Sequence, residues 1–125
     1  LAEILMKSTD PADRKLAERY CRESADMWVQ IVGGHASSSM TLLWTGAAFL
    51  GQGDTGNADD YLTSALYVEN RPFYLGLINL LLGKTADLRG ERSVARDFYG
   101  RVIALPSAAY HVREARRLLE HPYTR

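Results

Sequence analysis

The sequence has little of what disulfide cross-links, metal sites or membrane spans require. Its 125 residues include one cysteine, Cys21, and three histidines, at positions 35, 111 and 121. A single cysteine excludes a disulfide within the chain, and histidines so scattered do not form a metal-ligand cluster. The densest apolar stretch, Phe73 to Leu82, is interrupted by Gly76 and Asn79, well short of the roughly 18 residues of a membrane span. The sequence predicts no metal, no cofactor and no membrane insertion, and it indicates a soluble chain, with the cytoplasm favoured.

Composition and charge are those of one ordinary domain, covering residues 1–125. The net charge is zero, but residues 1–83 hold six basic and ten acidic side chains, and residues 84–125 hold nine basic and five acidic ones. This polarity either steers an acidic partner to the second half or reflects a solvated helical surface of uneven composition. Nucleic-acid binding requires a denser basic stripe with aromatic platforms, so we expect no nucleic-acid partner.

Hydrophobic periodicity predicts about six helices and no strand, hence an all-α fold of antiparallel helices joined by short connections. The first helix begins at Asp10-Pro11, carries an apolar stripe from Leu16 to Ile31 and ends at Gly33-Gly34. The helix after Pro72 is apolar around most of its circumference, so it is the predicted buried centre. The later helices are expected at about Ser38–Leu50, Thr55–Val68, Pro72–Arg89, Glu91–Leu105 and Ala108–His121.

The sequence repeats itself at an offset of 37 residues. Small residues recur where helices would cross, and glycines recur where a turn would need a left-handed backbone. Two copies of one helical hairpin are therefore predicted, over about residues 39–75 and 76–109. The matched pairs are Gly46 with Gly83, Gly53 with Gly90, Ala58 with Ala95, Asp60 with Asp97, Tyr61 with Phe98, Leu62 with Tyr99 and Ala65 with Val102.

The second copy resembles the tetratricopeptide repeat family. Its Leu82-Gly83, Ala86, Gly90, Ala95, Tyr99, Val102 and Pro106 are similar to that family's Leu-Gly, aromatic, Gly, Ala, aromatic, Ala and Pro signature. Ala86, Val102, the early Pro106 and the 37-residue length depart from it. The closing stretch, from Leu82 to Tyr123, is similar to the ends of bacterial repeat proteins. The resemblance implies helical hairpins stacked as a right-handed superhelix, with the flanking helices as degenerate repeats or caps.

The resemblance also implies a concave groove lined by the first helix of each hairpin. This lining is mostly apolar, which favours an amphipathic helix, an extended apolar segment or another part of the same chain as the occupant. Alternatively, these residues pack against neighbouring helices. The clamp that some family members use for a peptide carboxylate has only Lys84 to offer here and is not carried over. The groove positions are Met40, Leu43, Trp44 and Ala47 in the first copy and Leu77, Leu80, Lys84 and Asp87 in the second.

No residues stand at the spacing of a catalytic site. The glycines from Gly51 to Gly56 have neither a preceding strand nor a following lysine, so they indicate a turn between helices and not a phosphate loop. His111 and Glu114, three apart on a helix, favour a surface pair over a metal or proton site. Asp87 and Arg92 flank the Gly90 turn and are expected to form an ion pair across it.

Three functions remain open on these grounds. The repeat without recognisable chemistry favours a non-enzymatic interaction or scaffolding module that binds a protein or peptide partner. A structural or oligomerising domain appended to a larger protein is the alternative, so a homo-oligomer is possible. A small helical enzyme or ligand-binding bundle would need a closed polar pocket that the sequence does not reveal.

Overall fold

The computed structural model describes residues 39–105 and 109–125, together with the isolated positions Leu16, Arg19 and Glu23. Within this part of the chain there are helices and no strands, as the periodicity predicts. The helix expected from Asp10 lies outside the described residues except at those three positions. The five helices of the described ranges are α1 (Ser39–Gln52), α2 (Thr55–Val68), α3 (Pro72–Leu88), α4 (Arg92–Ala104) and α5 (Ala109–Glu120).

Each of these helices begins and ends within two residues of its predicted position, because the local signals are strong. The Asp54 carboxylate accepts a hydrogen bond from the Asn57 amide and caps the start of α2. Pro72 occupies the first turn of α3, where its missing amide proton costs nothing. None of the helices in the described ranges is long and apolar enough to cross a membrane.

The turns after α1 and α3 share one geometry, and it falls on residues 37 apart. Gly53 and Gly90 have φ angles of 85° and 75°, the left-handed conformation predicted for Gly90. The amide after each glycine reaches back to a carbonyl five residues earlier, from Asp54 to Phe49 and from Glu91 to Ala86. Both turns are therefore Schellman-type helix ends, which glycine favours because it has no Cβ.

The helices of each hairpin meet at equivalent glycines. A Cβ added to Gly46 would lie 2.6 Å from Cγ of Leu62, and one added to Gly83 would lie 2.7 Å from Cδ1 of Tyr99. These two pairs are again 37 residues apart. The absence of a side chain at each glycine therefore lets α2 approach α1, and α4 approach α3, closely.

Packing follows chain order. Each helix from α1 to α5 contacts the next, and α1, α3 and α5 also contact one another in series. One core cluster lies between α1, α2 and α3, and a second lies between α3, α4 and α5. The centre of α3 is buried, as predicted, because it contributes residues to both clusters. The small residues Ala58 and Ala95, predicted to be buried at matching crossings, are fully inaccessible to solvent.

We expect Gly90→Ala to lower the free energy of unfolding by about 1 to 2 kcal/mol, since a residue with a Cβ resists positive φ. Nothing lies within 4 Å of a Cβ at Gly90, so crowding adds no cost. Gly100 is the matched control, because it is equally open but lies inside α4. Gly100→Ala should instead stabilise by about 0.5 to 1 kcal/mol. Urea unfolding measures both, and equal effects would contradict the assignment of strain to the Gly90 backbone.

We also expect Gly83→Ala to cost more than Gly46→Ala. Tyr99 faces Gly83 with a rigid ring whose hydroxyl is hydrogen-bonded to Asp87, whereas Leu62 can change rotamer. Overpacking should cost about 1 to 3 kcal/mol, offset by about 1 kcal/mol of gained helix propensity in both variants. Thermal unfolding of the two variants gives the comparison. A Gly46→Ala variant that is the less stable of the two would show that ring rigidity does not govern this contact.

Candidate functional site

The predicted groove positions divide into buried and accessible sets in the same way in both copies. Leu43 and its equivalent Leu80 are buried in the two core clusters. Asp87 is also inward, with a side chain only 1% exposed. These three residues are therefore part of the packing between helices and do not line an accessible surface.

The remaining positions lie at the surface of α1 and α3. Met40 and Leu77 are half-buried and pack against the first core cluster, while Ala47 and Lys84 are partly exposed. Trp44 differs from all of them, because its side chain is 41% exposed and it is a member of neither cluster. We define the Trp44 face as Met40, Trp44, Ala47, Leu77 and Lys84.

The buried Asp87 carboxylate connects three parts of the chain, namely α3, α4 and the segment after α5. Both of its oxygens accept hydrogen bonds from Arg92 Nη1, at 3.0 Å, which confirms the predicted ion pair across the Gly90 turn. Oδ2 also accepts from the Tyr99 hydroxyl at 2.7 Å and from the Tyr123 amide at 2.9 Å. A buried carboxylate needs such a full set of donors to replace the hydrogen bonds that it would make with water. Burial and the bond to Asp87 raise the pKa of Tyr99 well above its usual range, so its hydroxyl remains a donor.

Arg92 extends this network to the end of α5. Its Nη2 donates to the carbonyls of Leu118 and Leu119, both at 2.7 Å. Arg96 Nη1 also donates to the Leu119 carbonyl, at 2.8 Å. Carbonyls in the last turn of a helix lack partners within the helix and carry partial negative charge, which guanidinium groups complement. The two arginines of α4 therefore hold α5 against the second hairpin.

The segment after α5 turns back across the ends of α3 and α1. The Tyr123 ring lies 5.1 Å from Lys84 Nζ, a cation-π contact, and packs against both core clusters. Arg125 Nη2 donates to the Gly51 carbonyl at 3.1 Å. A Cβ on Gly53 would lie 2.9 Å from Cζ of Arg125, so the guanidinium occupies the space that this glycine leaves. As predicted, the Gly51–Gly56 stretch contains the turn between two helices, which consists of Gly53 and Asp54.

A second buried carboxylate, Glu69, fixes the joint between the hairpins. It accepts hydrogen bonds from the Ser39 hydroxyl at 2.5 Å and from the Asn70 and Arg71 amides. The Arg71 side chain donates to both of its oxygens, at 2.8 and 3.0 Å. The same guanidinium lies 4.4 Å from the centre of the Tyr74 ring. Hydrogen bonds from Arg71, assisted by the one from Ser39, lower the pKa of Glu69 to about 2 against the desolvation that opposes them.

Aromatic rings cluster where α3 begins beside α5. Phe73 lies 5.2 Å from Tyr74, 5.7 Å from Tyr110 and 4.8 Å from His111, measured between ring centres. Phe73 and Tyr110 are exposed, whereas His111 is buried and its Nε2 has no hydrogen-bond partner. Burial lowers the pKa of His111, and the Lys84 cation lowers it further, although a hydrogen bond with the Phe73 backbone opposes them. His111 is therefore neutral at pH 7.

His111 and Glu114 do not form the surface pair that their spacing suggests. Glu114 accepts hydrogen bonds from Arg117, at 2.7 and 3.2 Å, and lies 3.9 Å from Lys84. His111 turns instead towards Phe73. Among the described residues, no group of three His, Cys, Asp or Glu side chains lies together as a metal would require.

Sequence reasoning missed the roles of Glu69, Tyr123 and Arg125. Glu69 looks like an ordinary residue after a helix, although its position just before Asn70-Arg71-Pro72 is a weak signal for a cap. Tyr123 and Arg125 meet residues 36 and 74 positions away, and no local pattern marks such contacts. The functional candidates in this structure are therefore the Trp44 face and the ends of α1 and α3.

We expect the stability advantage of the parent chain over a Glu69→Gln variant to fade in acid. The folded-state pKa of Glu69, about 2, lies below its ordinary value of 4.5, so the ionised form stabilises the fold above pH 4.5. As the pH falls towards 3, the unfolded chain takes up the proton first, and roughly half or more of this contribution is lost. Urea unfolding of the parent and of Glu69→Gln at pH 7, 5 and 3 measures the difference in their free energies of unfolding. A difference that stays constant with pH would contradict the low folded-state pKa of Glu69.

Comparisons of the chain with protein-family models, with curated proteins and with solved structures gave no match.

Proposed function

We propose that this chain is a non-catalytic protein-interaction module of the tetratricopeptide type, which binds a partner segment across the Trp44 face. The observation that carries the proposal is the exposed indole of Trp44, which lies on the first helix of a hairpin and outside both core clusters. Tryptophan is among the residues most enriched at the energetic centres of interfaces, because it buries a large area at small entropic cost.

The order of helix contacts supports a repeat stack. In a solenoid of hairpins, each first helix contacts the next first helix, and α1, α3 and α5 do so here. The equivalent Gly53 and Gly90 turns and the equivalent glycine crossings support two copies of one unit. Such a stack presents its first helices on one side, which is the surface that repeat proteins use for binding.

The chemistry of the Trp44 face favours an apolar partner with an acidic flank. Met40 and Ala47, about one helical turn before and after Trp44 on α1, and Leu77 on α3 are partly accessible apolar side chains. Methionine adapts its shape to different partners, which suits recognition of an amphipathic helix by its apolar stripe. Lys84, in the second copy, would favour acidic over basic residues at that end of the partner.

A structural or oligomerising domain is the alternative, and one specific observation favours it. Exposed aromatic side chains also occur away from the Trp44 face, at Phe73 and Tyr110 and, on α2, at Tyr67. Aromatic patches of this kind on a helical domain are typical of surfaces that pack on another chain. Sedimentation velocity of the full chain, with Tyr110→Ser for comparison, tests self-association through this patch.

We expect Trp44→Ala to abolish binding of amphipathic helical peptides selected from a displayed library against the parent chain. Its free energy of unfolding should fall by less than about 2 kcal/mol, since Trp44 is 41% exposed and belongs to neither core cluster. Tyr67→Ala is the matched control, because this aromatic is 86% exposed on another helix and its loss should leave peptide binding unchanged. Binding is measured by fluorescence anisotropy and stability by urea unfolding. A stability loss of about 3 to 5 kcal/mol for Trp44→Ala would show a core residue and contradict the proposal.

A further inference from the structure

The segment after α5 binds the helix ends through a small number of defined groups. After α5 the His121 amide donates to the Arg117 carbonyl, and Pro122 then keeps the chain from continuing as a helix. Of the next three residues, the first and third contact the helix ends and the second is exposed. Tyr123 contacts Asp87 and Lys84, Thr124 is exposed, and Arg125 contacts the Gly51–Gly53 turn.

The contacts that hold this segment come from the backbone amide and ring of Tyr123 and from the guanidinium of Arg125. The Asp87 carboxylate takes a backbone amide, which every residue except proline supplies. Lys84 Nζ and the two core clusters take an aromatic ring, and the Gly51 carbonyl takes a guanidinium. None of these contacts depends on the segment being joined to α5.

The acceptors of this site have matching electrostatics. Gly51 lies in the last turn of α1, where unsatisfied carbonyls carry partial negative charge, and Asp87 adds a full negative charge at the end of α3. An arginine and a backbone amide suit these two positions. Lys84 instead faces the ring, whose electron-rich face attracts a cation.

An arginine side chain occupies the space beside only one of the two equivalent glycine turns. The Arg125 guanidinium fills the space beside Gly53, whereas nothing lies within 4 Å of the corresponding position at Gly90. The turn geometry alone therefore does not attract an arginine. The Gly53 turn is the one that the segment reaches two residues after Tyr123 contacts Lys84 and Asp87.

We propose that the ends of α1 and α3 form a peptide-binding site for an extended tyrosine-any-arginine segment, which Tyr123 to Arg125 of this chain occupy in cis. A partner with the same pattern would bind only by displacing this segment. The segment thereby acts as a tethered competitor whose effective concentration is in the millimolar range for so short a connection. The site shares Lys84 with the Trp44 face but does not include Trp44, and it does not depend on binding at that residue.

The test uses the full chain and a fluorescent peptide that copies residues 120–125, Glu-His-Pro-Tyr-Thr-Arg. In the double variant Tyr123→Ala/Arg125→Ala the cis ligand is removed, so the site should be open. Fluorescence anisotropy should then show peptide binding roughly tenfold tighter than to the parent chain, in which the cis segment competes. A peptide with alanine in place of its tyrosine is the control, and it should bind at least tenfold more weakly.

Two further variants locate the binding. Adding Lys84→Ala to the double variant should weaken the affinity for the peptide several-fold, because the cation that contacts the tyrosine ring is lost. Adding Trp44→Ala should leave peptide affinity unchanged. Loss of peptide binding after Trp44→Ala would overturn the assignment of the peptide to the ends of α1 and α3. If Trp44 binds no helical partner, the proposed function fails, but the binding site at the ends of α1 and α3 is unaffected.

Circular dichroism covers the case in which the double variant is unstable. If the segment is needed for folding, the peptide added in trans should restore helicity and raise the melting temperature of the double variant. The proposal is overturned if the peptide neither binds nor restores helicity at millimolar concentration, or if the alanine peptide acts equally well. A parent chain that sediments as a dimer, and as a monomer after Tyr123→Ala/Arg125→Ala, would overturn the assignment in cis.

Discussion

The second half of the described structure depends on one buried charge, the Asp87 carboxylate. Its oxygens are inaccessible to water, so every hydrogen bond they would make in solution has to be replaced within the protein. The three residues that supply donors, Arg92, Tyr99 and Tyr123, are thereby brought to one point, at the end of α3. Arg92 then uses its remaining donors on the end of α5. The positions of α4, α5 and the following segment are coupled because they share this acceptor.

The close approach of the paired helices is a separate constraint and acts in both hairpins. Glycine at position 46 or 83 costs helix propensity, so it is retained only where a larger side chain would collide with the partner helix. The partners differ, however, since Leu62 in the first copy is replaced by Tyr99 in the second. That replacement introduces the hydroxyl which reaches Asp87, whereas the equivalent of Asp87 in the first copy is the buried Leu50. The first hairpin thus has apolar residues at these two positions, and the second has a hydrogen-bonded polar pair.

The sequence was sufficient to predict the helices of the described ranges, because capping residues, glycines and proline act locally. The 37-residue offset also predicted the equivalent turns and the buried Ala58 and Ala95, since both copies keep glycine at the turn and alanine at this crossing. It could not predict burial within the groove set. Leu43 and Trp44 are adjacent apolar residues on one helix, and which of them faces the core depends on how α1 meets α2 and α3. Contacts between distant positions, such as Arg125 with Gly51, leave no periodic signal at all.

The two proposed binding surfaces, at Trp44 and at the ends of α1 and α3, would support different kinds of recognition. Burial of the Trp44 indole against a partner would be driven by apolar area, which is adaptable and poorly selective for sequence. The site around Asp87 instead offers charged acceptors and a backbone carbonyl, which discriminate because an unsatisfied donor or acceptor is costly. Lys84 belongs to both, since it lies at the edge of the Trp44 face and contacts the Tyr123 ring. A partner long enough to span both surfaces would therefore gain affinity from apolar contacts at Trp44 and selectivity from polar contacts at the end of α3. Displacement of Tyr123 by such a partner would also change the surroundings of Lys84.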